Sequence, residues 1–122
     1  MLIVSGNPDT QDAYVRFLRD LRIPVVGLDT VDDASVAIGY FPVRAALFDV
    51  AARDDWDSCR RLRDRLPSSI PVIALTAAGS ADGDGRRLAR RIGCAELLAK
   101  PCPPEMLVNA LDRTTDGGLS RA

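Results

Sequence analysis

Three side chains of different chemistry stand where three β-rich runs end: Asp49 in Leu47-Phe48-Asp49, Thr76 in Ala74-Leu75-Thr76, and Lys100 in Lys100-Pro101. A carboxylate, a hydroxyl and an ammonium at strand ends make a pocket of the phosphoacceptor kind. A carboxylate attacking phosphorus needs its own charge and that of the transferring oxygens neutralised, which a divalent cation held by oxygen ligands usually supplies. Further carboxylates at a neighbouring strand end would be needed to hold that cation. After Leu2-Ile3-Val4 this chain has Ser5 and Gly6 instead. At about 5 Å each missing unit charge forfeits roughly 2–7 kcal/mol of gross attraction to Mg²⁺ for effective dielectrics of about 80 to 20. The lower figure taken twice weakens binding by about a hundredfold or more. Asn7, Asp9 and Asp54 are the other oxygen donors at hand. Mg²⁺ binding is therefore expected to be weak or absent, no metal ligand or cofactor is assigned, and Lys100 is expected to pair with Asp49.

The elements that must position these groups alternate along the chain. Short β-rich runs are predicted at Leu2–Val4, Val25–Leu28, Ala45–Phe48, Val72–Leu75 and Glu96–Leu98, each followed by a segment of helical period. In the first helix Tyr14, Phe17, Leu18 and Leu21 form the stripe to be buried, with Pro24 ending it. The second starts at the N-cap Thr30, turns Val31, Ala34 and Ile38 inward, and stops at Gly39 and Pro42. In the third, Trp56, Cys59, Leu62 and Leu66 share a face while Arg60, Arg61, Arg63 and Arg65 mostly point to solvent, and Pro67 closes it. Gly79, Gly83 and Gly85 precede the fourth, whose firm part is Arg86–Ile92. Pro103 or Pro104 opens the fifth, which sets Met106, Leu107, Ala110 and Leu111 against the core. The domain is expected to span 1–113, with 114–122 a flexible tail or the start of a linker.

Composition narrows the function classes. A chain of 122 residues, 47% hydrophobic and 27% charged, suits one globular domain. A net charge of −1 gives no long-range field to draw in nucleic acid or an anionic membrane. With no apolar run near membrane-span length and no signal-peptide pattern, cytoplasmic residence is expected. Cys59, Cys94 and Cys102 are odd in number and lack CxxC spacing, so they are read as reduced packing residues rather than a disulfide framework or zinc site. The absence of histidine removes the usual general base, the commonest metal ligand and any His-linked nucleophile. No catalytic residue is assigned, and a binding module rather than an enzyme is expected.

Five strands and five helices in this order suit a doubly wound, flavodoxin-like α/β fold with a five-stranded parallel sheet of order 2-1-3-4-5. Ligands sit there at the carboxyl ends of the strands near the topological switch point. Ser5, Gly6, Asp49, Thr76 and Lys100 are all predicted just after strands. No GxGxxG or GxxxxGK[ST] loop follows the first strand, which argues against a phosphate-cradling nucleotide site.

From Met1 to Arg113 the chain resembles the receiver domain of two-component response regulators. The resemblance rests on Leu2-Ile3-Val4 with a following turn at Pro8, Ala46-Leu47-Phe48-Asp49, Ile70-Pro71-Val72-Ile73-Ala74-Leu75-Thr76-Ala77 and Leu98-Ala99-Lys100-Pro101, specific in their order and spacing together. It implies that Asp49 is the phosphoacceptor position, that Thr76 bonds the phosphoryl oxygen, that Lys100 pairs with the same group, and that Ser5 and Gly6 occupy the acidic-pair positions. Leu97 stands at the switch position, where responsive receivers usually carry an aromatic residue. Arg53 and Asp54 replace the family's common proline and glycine after the acceptor. The resemblance also implies a protein partner, a histidine kinase or an output domain. Arg86, Arg87, Arg90 and Arg91 mark a partner surface, and the face of the fourth helix, fifth strand and fifth helix offers a homodimer contact.

Three readings stay open. One is an atypical receiver acting as a phosphorylation-independent interaction module. Another is a working phosphoacceptor at Asp49 with unusual metal ligation. The third, of another class, is a flavodoxin-like small-ligand-binding domain or enzyme, against which the shortage of polar pocket residues speaks.

Overall fold

Strands that are apolar throughout, such as Leu2-Ile3-Val4 and Val72-Ile73-Ala74-Leu75, satisfy both faces only when sandwiched between helices. The computed structural model describes residues 1–77 and 83–114 and builds that sandwich. Among those residues the order is β1 Leu2–Val4, α1 Pro8–Asp20, β2 Val26–Leu28, α2 Val31–Ile38, β3 Ala46–Val50, α3 Asp55–Arg65, β4 Val72–Ala77, α4 Asp84–Ile92, β5 Glu96–Lys100 and α5 Pro104–Thr114. The strands pair in parallel in the order β2-β1-β3-β4-β5, as expected.

Side-chain alternation along each strand divides the core in two. Leu2, Val4, Ala46, Phe48, Val72 and Ala74 pack on the side of α2, α3 and α4. Ile3, Leu47, Ile73, Leu75 and Leu98 pack with Leu18 of α1 and Leu107, Ala110 and Leu111 of α5. One glycine position goes with a close approach: a Cβ on Gly27 would lie 2.8 Å from Gln11 Oε1 and 3.0 Å from Val15 Cγ2, so a side chain there would make α1 side chains shift.

Several boundaries differ from expectation. The strands β3, β4 and β5 run on to Val50, Ala77 and Lys100, so Asp49, Thr76 and Lys100 lie within strand ends rather than just after them. Ladder pairing continues past the apolar run, with Asp49 opposite Leu75 and Val50 opposite Thr76. β2 begins at Val26 and β3 at Ala46, one residue later than expected in each case. Leu21 and Met106 are exposed, not buried. Leu21 is the C-cap of α1, one residue past its last helical position, and a left-handed turn at Arg22 (φ 62°) follows it. Met106 lies in the first turn of α5, whose buried side is Leu107, Ala110 and Leu111.

Gly85 is inside α4 rather than before it, while Gly79 lies outside the described residues. Arg63 does not point to solvent, because its guanidinium donates to Ile70 O at 2.6 Å. The last helix includes Thr114, whose hydroxyl donates to Ala110 O at 2.8 Å. The remainder of the expected tail, 115–122, lies outside the described residues.

Candidate functional site

The sheet order reverses direction between β1 and β3, and the residues that end those two strands meet there. Ser5 follows β1 with its N–H donating to Leu28 O at 3.0 Å, which fixes the strand end against β2. Asp49 is the fourth residue of β3 and only 5% exposed, and Ser5 is 1% exposed. Burial of a carboxylate at this depth demands partners. It has two, one on each oxygen. Lys100 Nζ lies 2.5 Å from Oδ1, and Ser5 Oγ lies 2.8 Å from Oδ2.

The serine hydroxyl has one proton to give. Asn7 O lies farther away, at 3.2 Å, and the carboxylate is the stronger acceptor, so the proton goes to Asp49. The same oxygen accepts from Asn7 N–H at 3.1 Å, leaving Ser5 fully used. Lys100 is the only lysine in the chain. Its side chain is 27% exposed against 3% for Asp49, so the ammonium keeps contact with water on one side. The Lys100–Pro101 peptide is cis.

Four carboxylates line the cleft beside Ser5 and Gly6: Asp29, Asp32, Asp49 and Asp55. Each already has a partner. Asp29 accepts from Gln11 Nε2 at 3.0 Å, and Asp32 lies 3.5 Å from Arg61. Asp55 accepts from the N–H groups of Ala51 and Ala52, both at 2.8 Å, which folds the turn after β3 back on the start of α3. Asn7 Oδ1 caps α1, accepting from Asp9 N–H at 2.9 Å and Thr10 N–H at 3.2 Å. Asp9 and Asp54 are exposed. Gly6 is exposed, and a Cβ there would meet nothing within 4 Å. Among the described residues no three His, Cys, Asp or Glu side chains are grouped so as to hold a metal ion.

Thr76 is not joined to this pair. Asp49 is in register with Leu75, and Leu75 and Thr76 face opposite sides of the sheet. The buried Thr76 lines a separate cleft of about 350 Å³ with Val50, Arg53, Trp56 and Asp84. Leu97 is half-buried and packs on the α2–α4 side of the core. On the other flank, Tyr14 lines a groove with Lys100 and donates to Cys102 O at 3.4 Å. Burial, with smaller contributions from Cys102 and the Asp49 carboxylate, raises the Tyr14 phenol above its usual 10 against the opposing effect of the Cys102 carbonyl.

Arg86, Arg87, Arg90 and Arg91 are exposed on α4, whose opposite side buries Ala89 and Ile92. Arg87 lies 3.7 Å from Asp84, a loose surface pair.

No family model matches the sequence, and no curated protein matches it. Solved structures do. A two-component response regulator from Clostridium difficile superimposes with a TM-score of 0.77 at 20% identity, over 93% of this chain and 92% of that one. The chemotaxis response regulator CheY4 of Vibrio cholerae gives 0.77 at 18% identity, over 93% and 95%. This chain has the response-regulator receiver fold. A third receiver of that fold, the signal receiver domain of a signal transduction histidine kinase from Syntrophus aciditrophicus, gives 0.76 at 22% identity, over 95% and 89%.

On the receiver fold the sequence reading located Asp49, Lys100 and Ser5 but assigned Ser5 no contact. It missed Asp55 as the cap of the following turn and Gln11, whose amide donates to Ser5 O at 3.1 Å as well as to Asp29. A signal for Asp55 was available, since an acidic side chain in the first turn of a helix can reach back to a backbone N–H that precedes it. Nothing comparable marks Gln11, which acts across 18 residues.

Proposed function

We propose that this chain is an atypical receiver-like signalling module that works through protein contacts and independently of phosphorylation. The observation that carries this reading is the double engagement of Asp49, by Lys100 on one oxygen and Ser5 on the other. A phosphoacceptor carboxylate must present a free oxygen in line with phosphorus while a cation neutralises the incoming group. Here the neutralising charge is already in the chain, and the second oxygen is held by a hydroxyl that sits where a metal-binding carboxylate would be.

Mg²⁺ does not fit this donor set. It takes one or two carboxylates among near-octahedral oxygens. Ser5 is neutral and donates its proton toward Asp49, Gly6 has no side chain, and Asn7 Oδ1 and Asp55 Oδ2 each accept from two backbone N–H groups. The usual route from pocket to surface is also altered, because Leu97 has no polar-tipped ring to follow Thr76.

The partner in this reading is a protein, either a histidine kinase or an output domain, and the exposed arginines of α4 are the docking charges. Homodimerisation through α4, β5 and α5 uses the same face.

Amide NMR of the domain during addition of millimolar Mg²⁺ and then beryllofluoride tests the reading, with Asp49→Ala as control. The expected result is no saturable shift at Asp49, Thr76 or Lys100. Saturable Mg²⁺-dependent shifts that vanish in Asp49→Ala would overturn it and restore a phosphoacceptor.

A further inference from the structure

Cys59 and Cys94 are 35 residues apart in the chain, yet their sulfurs lie 3.8 Å apart. Cys59 is on the buried face of α3 and 0% exposed. Cys94 is half-buried in the short connection from α4 to β5. That connection starts at Gly93, whose φ of 97° belongs to the left-handed region that a side chain resists. The Cys94 N–H then donates to Ala89 O at 2.9 Å, which closes the helix end and turns Cys94 toward α3.

A fixed positive charge stands beside the pair. Arg63, one turn after Cys59, donates to Ile70 O at 2.6 Å, Pro67 O at 2.5 Å and Leu66 O at 3.4 Å. Among the described residues it has no salt-bridge partner, so three carbonyls hold the guanidinium without cancelling it. Its stem runs past Gly93, where an added Cβ would lie 3.7 Å from Arg63 Cδ. The hydrogen bond from Cys59, assisted by Arg63, pulls the Cys94 thiol below its usual range against the effect of burial. Giving that hydrogen bond and being buried push Cys59 up. The two sulfurs are thus unlike: Cys94 is half-buried with its thiol shifted down, and Cys59 is enclosed with its thiol shifted up.

We propose that Cys94 and Cys59 form a peroxide-responsive thiol pair, in which Cys94 takes the oxygen and Cys59 resolves it into a disulfide that ties α3 to the strand carrying Lys100. The Cys94 thiolate attacks one oxygen of hydrogen peroxide. The O–O bond breaks, hydroxide leaves and is protonated to water, and Cys94 becomes a sulfenic acid. The Cys59 sulfur then attacks the Cys94 sulfur, the S–O bond breaks, and a second water leaves carrying the Cys59 proton. Two thiols lose two electrons in all, and one peroxide becomes two waters. The sulfurs must close to about 2.05 Å, a movement of roughly 1.8 Å. The connection at 93–95 can supply that movement while Trp56 and Leu62 hold α3 in the core. This site is independent of the phosphorylation reading.

The third cysteine is an internal control. Cys102 is buried, its thiol is pushed up by that burial, and its sulfur lies 3.6 Å from Pro103 O rather than near another thiol.

The test is a peptide map of the native chain after near-stoichiometric hydrogen peroxide, with remaining thiols alkylated before digestion. The expected result is a Cys59–Cys94 cross-linked peptide with Cys102 alkylated. Cys94 should react at least about tenfold faster than Cys102. A Cys59→Ser chain should instead accumulate a Cys94 sulfenic acid that dimedone traps. The proposal is overturned if all three cysteines remain alkylatable, if the disulfide joins two molecules, or if Cys102 oxidises as fast as Cys94. Because the wild-type map is decisive by itself, a variant that fails to fold leaves the outcome intact.

Discussion

In the Asp49 pocket every ionic group is answered at close range: the ammonium of Lys100 lies 2.5 Å from one carboxylate oxygen, and the Ser5 hydroxyl 2.8 Å from the other. On α4, Arg87 has Asp84 at 3.7 Å, while Arg86, Arg90 and Arg91 have no salt-bridge partner among the described residues. Burial accounts for the contrast. A carboxylate that is 5% exposed must be compensated inside the fold, whereas an exposed guanidinium is hydrated whether or not it has a partner. The Asp49–Lys100 pair therefore offers little charge to an incoming group, whereas the arginines of α4 stay open to solvent.

The largest effect that would sharpen this contrast is on the pocket's cation. Lys100→Met leaves the Asp49 charge buried with only Ser5, and should cost about 3 kcal/mol in urea unfolding at neutral pH. Asp49→Asn should cost less, about 1–2 kcal/mol, because Lys100 is 27% exposed and can turn to water. An equal or larger loss for Asp49→Asn would remove the asymmetry on which the pocket reading depends.

Next comes restoration of the missing charges. Gly6 has open space for a side chain, and Ser5 already faces Asp49, so Ser5→Asp with Gly6→Asp should raise Mg²⁺ affinity about a hundredfold or more. Isothermal titration measures this directly. An unchanged affinity would mean that the backbone, and not only the charge count, has left the metal-binding arrangement.

Arg90→Glu with Arg91→Glu tests the other half of the comparison. Both side chains are exposed and free of ion pairs among the described residues but stand in the last turn of α4, where reversed charges oppose the helix dipole, so unfolding should shift by about 1–2 kcal/mol. A loss well above that would show that α4 needs its charges to hold the fold.

The smallest effect is at Tyr14. Its 3.4 Å bond to Cys102 O is long, so Tyr14→Phe should change stability near neutral pH by less than about 0.5 kcal/mol. In alkali the signs separate. The folded phenol titrates above its usual 10, so from that point upward the unfolded chain has lost a proton that the folded chain keeps, and stability falls as pH rises. The Phe variant lacks this contribution and should lose less stability between about pH 9 and 11.

Periodicity made the architecture legible. The apolar runs gave five parallel strands in their observed order, and the residues at their ends gave Asp49, Lys100 and Ser5. Boundaries were less legible, because β3 continues pairing through Asp49 to Val50 when an apolar count stops at Phe48. What a one-dimensional pattern omits is which groups meet. Ser5 reads as a missing acid, yet it is a donor to Asp49. Thr76 reads as a second contact for the group that Asp49 would carry, and the register places it beside Val50 rather than opposite Asp49. Arg63 reads as one of a row of solvated arginines, yet three carbonyls draw it inward. The Cys59 and Cys94 thiols have no motif, because their proximity is produced by helix packing and a left-handed glycine rather than by spacing.

That Lys100 is the only lysine in the chain, beside many arginines, makes the pocket separately observable. Biosynthetic enrichment with ¹⁵N-lysine would place a single ε-ammonium resonance in the spectrum, and that resonance would be the Asp49 contact itself. Every binding event, oxidation or substitution that reaches the pocket could then be followed through one signal without assigning the rest of the molecule.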